Sequence, residues 1–119
     1  MDVRLKRVYA AAEADDGYRV LIDRLWPRGM KRDAAALDEW ARELAPSTEL
    51  RQWFGHDPER FSEFRRRYGV ELLEQETKLQ ELRRRARSGT LTLVYGARDT
   101  EHNDAVVLAE ILRRGRRAR

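Results

Sequence analysis

Residues 18–22 read YRVLI, a run of mostly β-branched and aliphatic side chains that stops at the charged pair Asp23-Arg24. Residues 91–95 read LTLVY and have the same character. A strand that is apolar at successive positions is buried on both faces, which is typical of the interior of a parallel sheet. The two stretches therefore predict two buried, parallel strands.

The segments around these strands predict one more strand and a set of helices. Residues 3–10 alternate loosely between apolar and polar side chains and suit a first strand. Apolar side chains then recur every three to four positions, which predicts a helix over residues 34–44, a short helix over residues 48–54 and a long helix over residues 58–88. A last helix is predicted after the second buried strand.

The ends of these helices are marked by capping residues. Asp33, Ser47, Asp57 and Thr100 have side chains that accept hydrogen bonds from the first turn of a helix, and we predict them as N-caps. Gly69 is a candidate kink inside the long helix.

The predicted order is β-β-α-α-α-β-α. Strands separated by helices need crossover connections, which favour parallel pairing. We therefore predict an α/β fold with a small, mainly parallel sheet flanked by helices, formed by a single domain over residues 1–112. Residues 113–119 contain five arginines and are predicted to be a basic, disordered tail.

Composition excludes several classes of protein. The 119 residues fit one domain, and the charged fraction of 39% with a mean hydropathy of -0.82 leaves no apolar run of the roughly 20 residues that a bilayer span needs. The first residues carry no signal-peptide pattern, and the absence of cysteine excludes disulfides and thiol nucleophiles. We expect a soluble, cytoplasmic protein with no membrane partner.

The formal charge of +4 suggests nucleic acid as a partner until its location is considered. Five of the 25 basic residues lie in the last seven positions, and without them 20 bases face 21 acids. The predicted domain is therefore close to neutral, and an interaction with nucleic acid is expected to depend on the tail.

Polar side chains follow both buried strands. The first strand leads into DRLWPRG at residues 23–29, and the second into GARDTEHN at residues 96–103. In open parallel sheets, ligands bind beyond the carboxyl ends of the strands. If the two strands are parallel neighbours, these segments meet.

Such a meeting would form an anion-binding site. The planar guanidinium of arginine donates two parallel hydrogen bonds to a phosphate or carboxylate, aspartates can orient it, and histidine titrates near neutral pH. The candidate catalytic residues are His102, Asp23 and Asp99, and the candidate ligand-binding residues are Arg24, Arg28, Arg98, Trp26, His56 and Asn103.

A purely structural interpretation of the same residues stays open. Ion pairs of Asp23 with Arg98 and of Arg24 with Asp99 would tie the strand ends together without a ligand. Trp26 is more typical of packing under a loop than of stacking on a ligand.

The sequence predicts neither a metal nor a cofactor. The two histidines lack the spacing that places metal ligands on one helical face. No Gly-x-Ser-x-Gly segment and no phosphate-binding loop of the Walker or dinucleotide type is present either.

Three segments resemble a known family: RVLIDRLWPRG at residues 19–29, ELAPS through WFGHDP at residues 43–58, and ARDTEHN at residues 97–103. Together they closely resemble the YeaO-like branch of the domain of unknown function 488 family, over roughly residues 3–112. The resemblance implies a small cytoplasmic α/β protein whose signature residues gather at strand ends, and it supplies no catalytic role. The wider family often has Cys and His-Arg near the third segment, which this chain lacks.

Two functions follow as predictions. The first is binding of an anionic ligand that carries phosphate or carboxylate at the strand ends, with or without catalysis. The alternative is an accessory module that binds nucleic acid or protein through the arginine-rich tail.

Overall fold

The fold is built on one sheet of four parallel strands, in a computed structural model that describes residues 1–114. The strands are β1 (Asp2–Arg7), β2 (Tyr18–Leu21), β3 (Glu39–Trp40) and β4 (Thr90–Tyr95). Their order across the sheet is β1-β4-β2-β3.

The two buried strands predicted from the sequence, β2 and β4, are parallel neighbours. Tyr18 is in register with Leu91, and Leu21 with Val94. The pairing continues past β2, where Ile22 N donates to Val94 O at 3.2 Å. The predicted geometry is confirmed, and both strands end at the same edge of the sheet, which we call the C-terminal edge.

Helices connect the strands and confirm the predicted α/β class. They are α1 (Arg32–Ala35), α2 (Thr48–Phe54), α3 (Phe61–Leu72), α4 (Glu76–Ser88) and α5 (Asp104–Arg114). Single 3-10 turns lie at Ala14–Asp16, Arg42–Leu44, Pro58–Arg60 and Leu73–Gln75. Within the described residues, no helix has the length and apolar character to cross a membrane.

The helix predicted over residues 34–44 is wrong. The chain forms only the short α1, which ends where Ala36 adopts a left-handed φ of 48°. Backbone pairing with β2 then replaces the helix, and Asp38 N donates to Arg19 O at 2.9 Å. The Asp38 side chain adds a second bond, in which its Oδ2 accepts from Arg19 N at 2.8 Å. The segment therefore adds β3 to the sheet.

Three further predictions concern helix ends. The long helix is interrupted at Leu73–Gln75, so the kink predicted at Gly69 is wrong. Ser47 caps its helix as predicted and accepts from Leu50 N at 3.1 Å. The N-cap of α5 is not Thr100 but Asn103, whose Oδ1 accepts from Val106 N at 2.9 Å.

The start of the predicted tail belongs to a helix. Arg113 and Arg114 are the last residues of α5, and the Nη2 atom of Arg113 donates to Val3 O at 2.7 Å. The remaining tail, residues 115–119, lies outside the described residues.

Both faces of the sheet are covered. The larger core lies on the face where α2 to α5 pack, and Phe54, Phe64 and Tyr68 form its aromatic part. The smaller core, on the opposite face, contains Leu21 and Val94. The strand ends are thus held rigidly between two packed layers.

Candidate functional site

The C-terminal edge of the sheet brings a carboxylate against a backbone amide. Asp23 follows β2, Gly96 follows β4, and Gly96 N donates to Asp23 Oδ2 at 2.8 Å. A Cβ atom added to Gly96 would lie 3.2 Å from that oxygen, closer than most side-chain contacts. The glycine therefore permits this approach. Arg7 of β1 fixes the same backbone by donating from Nε to Ala97 O at 2.8 Å.

A second carboxyl group enters from the start of α5. Once Asn103 has capped this helix, Asp104 is its first residue, and its carboxyl group lies beside that of Asp23 in the wall of one cavity. Burial raises the pKa of both carboxyl groups, and the charge of Asp23 raises the pKa of Asp104 further, well above 3.8. We call Asp23 and Asp104 the acid pair.

The acid pair lines a cavity of about 270 Å³ at the C-terminal edge. Its other polar wall residues include Arg24, Arg28, Arg51, His56 and Asn103, and its apolar wall includes Leu25, Pro46, Phe54 and Phe64. We call this cavity the strand-end pocket. It combines three guanidinium groups with two carboxyl groups whose pKa values are raised.

The three arginines are held differently. The Nε and Nη2 atoms of Arg24 each donate to Pro46 O at 3.3 Å, which fixes its guanidinium beside the loop before α2. Arg28 and Arg51 are exposed, and within residues 1–114 neither forms an ion pair. Their guanidinium groups are therefore free to bind an anion.

The loop that carries Pro46 is anchored to α3. The Glu71 carboxylate accepts from Ser47 N at 2.8 Å and from Ser47 Oγ at 2.6 Å. The buried Tyr68 hydroxyl donates to Leu44 O at 2.5 Å. Burial, together with the charges of Asp104, Asp23 and Glu71, raises the pKa of Tyr68 well above 10.0. This hydroxyl therefore remains a hydrogen-bond donor at neutral pH.

Five of the nine residues predicted for the site line the strand-end pocket: Asp23, Arg24, Arg28, His56 and Asn103. His56 reaches it from the turn after α2, where its backbone has a left-handed φ of 57°. Their roles in binding stay predictions.

His102 and Asp99 are not among the residues that line the pocket. Asp99 accepts from Glu101 N at 2.9 Å, and its Oδ2 lies 2.9 Å from Nδ1 of His102. These hydrogen bonds lower the pKa of Asp99, the one from Glu101 N most. The His102 ring packs edge-on against Phe61 at 5.1 Å between centroids. The pair therefore shapes the segment that leads into α5.

Arg98 and Trp26 are also absent from the pocket wall. Arg98 is exposed, and within residues 1–114 it forms an ion pair neither with Asp23 nor with any other acid. Trp26 packs edge-on against Trp40 at 5.3 Å, and its Nε1 donates to Met30 O at 2.7 Å. Trp26 belongs to the smaller core, which agrees with the interpretation that it packs under a loop.

Sequence reasoning missed two charged residues of the pocket, Arg51 and Asp104. Arg51 lies on α2 and reaches the pocket only through the packing of that helix. The sequence did contain a signal for Asp104, namely Asn103 as a possible N-cap. With Asn103 as the N-cap, Asp104 is the first residue of the helix and lies at the helix end that faces the strand termini.

Comparisons with known proteins identify the family of this chain. Residues 2–118 match the family described as "Inactive DUF488-N3 subclade". The chain belongs to this DUF488 subclade. It is 48% identical over 113 residues to "Uncharacterized protein YeaO" of Escherichia coli (strain K12), covering 95% of this chain and 98% of that protein. The YeaO-like resemblance predicted from the sequence is therefore confirmed.

The DUF488 chain has relatives in mycobacteria as well. Uncharacterized proteins of Mycobacterium bovis and Mycobacterium tuberculosis are each 44% identical over 110 residues, which covers 92% of this chain and 92% of theirs. No solved structure matches the chain.

Proposed function

We propose that this DUF488 protein binds a small molecule through its phosphate or carboxylate group in the strand-end pocket. The observation that carries the proposal is the position of Arg24, Arg28 and Arg51 in the wall of one pocket at the ends of β2 and β4. Parallel sheets commonly bind ligands at this place.

The electrostatics of the pocket support an anion. Burial raises the pKa of both Asp23 and Asp104, which disfavours their charged forms. Three guanidinium groups line the same pocket and outnumber the two carboxyl groups even when both are ionised. The pocket therefore has net positive charge and is complementary to a phosphate or carboxylate.

The proposal is limited to binding. The subclade is described as inactive, and the histidine that we predicted as a proton donor, His102, is hydrogen-bonded to Asp99 away from the pocket wall. A binding protein needs only the arginines and a shaped cavity, and both are present.

Calorimetric titration with inorganic phosphate at low ionic strength tests the proposal. We expect saturable binding that weakens about tenfold in Arg28→Ala and in Arg51→Ala, because a hydrogen bond to a charged group contributes about 1.5–3 kcal/mol. Among residues 1–114, neither side chain forms an ion pair that its removal would break.

The matched control is Arg84→Ala, which removes an exposed arginine from α4, outside the pocket wall. Its affinity for phosphate should equal that of the unmodified protein. Absence of saturable binding, or equal losses in all three variants, would overturn the proposal.

A further inference from the structure

The strand-end pocket contains an acid pair that anion binding alone does not require. Asp23 and Asp104 lie in the same wall as the three arginines, and both are partly buried. Resting on the proposed function, we infer that the ligand carries an uncharged hydroxyl group besides its anionic group, and that the acid pair binds this hydroxyl. The ligand class is a small hydroxylated organic phosphate or carboxylate.

Unused hydrogen-bond acceptors of the acid pair support this inference. Asp23 Oδ2 accepts from Gly96 N, and backbone amides at the start of α5 bond the carboxyl group of Asp104. An ionised carboxylate offers about four lone-pair sites, more than these bonds use, so the acid pair keeps acceptors in the pocket wall. An aliphatic hydroxyl supplies the donor that these acceptors lack.

The charges around the acid pair favour an uncharged donor over an ammonium group. Arg51 of α2 and His56 of the following turn act electrostatically on Asp23, and Arg24 and Arg28 come from the segment after β2. From α3, the pair faces Tyr68, whose hydroxyl is neutral. An ammonium group would enter a field dominated by guanidinium groups, whereas a hydroxyl adds no charge.

The cavity favours a short ligand. Its volume of about 270 Å³ lies just below the range of about 300–1,000 Å³ typical of ligand pockets. Phe54, Phe64 and Pro46 supply apolar wall against which a short carbon skeleton can pack. A chain of a few carbons between the anion and the hydroxyl matches this lining.

Three probes with the same carbon skeleton test the inference: propyl phosphate, 3-hydroxypropyl phosphate and 3-aminopropyl phosphate. We expect 3-hydroxypropyl phosphate to bind the intact protein about tenfold more tightly than propyl phosphate, the size expected for one hydrogen bond to a charged group. We expect 3-aminopropyl phosphate to bind no more tightly than propyl phosphate.

The variant Asp104→Ala tests the residue assignment. It should bind propyl phosphate and 3-hydroxypropyl phosphate with equal affinity, while Asp33→Ala, which removes an exposed carboxylate of α1, keeps the tenfold preference. Circular dichroism checks that both variants are folded. The comparison of the three probes on the unmodified protein needs no variant and decides the inference even if Asp104→Ala does not fold.

The outcomes separate this inference from the proposed function. Equal binding of propyl and 3-hydroxypropyl phosphate, or tightest binding of 3-aminopropyl phosphate, overturns the hydroxyl inference and leaves phosphate binding intact. A preference that persists in folded Asp104→Ala overturns the assignment of the hydroxyl to Asp104. If no probe binds, both proposals fail.

Discussion

The ionisation of Asp104 is the feature at the residue scale that has the clearest consequence. The folded state raises its pKa well above 3.8 through burial and through the charge of Asp23. A carboxyl group with a raised pKa stabilises the fold fully below its unfolded pKa, and this contribution is lost as pH rises through the folded value. This residue should therefore make the native protein less stable as the pH rises from about 4 through the folded pKa of Asp104.

Replacing Asp104 by asparagine removes this penalty, because the amide is neutral and of the same size. We expect Asp104→Asn to be more stable than the unmodified protein at pH 7, with the difference vanishing near pH 4. Urea unfolding at a series of pH values measures the difference in unfolding free energy. A variant that is less stable at every pH would contradict the raised pKa of Asp104.

The pocket residues at the strand ends could be predicted from the sequence, whereas the residues that helix packing brings to the pocket could not. Asp23, Arg24 and Arg28 directly follow a recognisable buried strand, so their position at the C-terminal edge follows from the sequence pattern. Arg51 lies on a separate helix, and Asp104 lies nine residues after β4. The path of the intervening chain, which local pattern does not define, decides whether such side chains reach the pocket.

At the scale of elements, the start of α5 controls the position of the acid pair. Asn103 is buried, its Oδ1 caps the helix through Val106 N, and its Nδ2 donates to Asp99 O at 2.8 Å. These bonds fix where α5 begins and so where Asp104 lies.

Loss of this cap should destabilise the protein. We expect Asn103→Ala to cost about 1–2 kcal/mol of unfolding free energy, the usual effect of removing an N-cap side chain. Thr100→Ala is the matched control, since Thr100 is exposed and lies outside the helix, and it should change stability little. Denaturant unfolding of both variants measures the two losses of unfolding free energy. A larger loss in Thr100→Ala than in Asn103→Ala would identify Thr100 as the cap.

Element boundaries between the buried strands depended on contacts that a local pattern does not contain. The apolar spacing of residues 34–44 suits a helix, but Asp38 N and Ala41 N donate to the β2 carbonyls of Arg19 and Leu21 and form a parallel ladder instead. The break at Leu73–Gln75 likewise separates α3 from α4 while the inward residues of both helices stay in the same core. Helical periodicity continues across the break, so the sequence predicts one long helix.

At the scale of the whole molecule, the distribution of charge separates two modes of anion binding. The strand-end pocket is a local cluster of arginines in a chain that is close to neutral without its last residues. Residues 115–119 contribute three arginines, and their removal leaves 22 bases against 21 acids. The two modes therefore depend on different parts of the chain.

Truncation after Arg114 should leave the pocket intact and weaken only long-range electrostatic binding. We expect unchanged affinity for inorganic phosphate, because the pocket residues among those that the structure describes all lie at or before Asp104. Any binding of duplex DNA should become less dependent on salt. The slope of log affinity against log salt concentration should become less steep by about 0.9 for each phosphate contact that is removed. Titrations at several salt concentrations measure both. Loss of phosphate binding on truncation would assign anion binding to the tail, in favour of the accessory-module prediction.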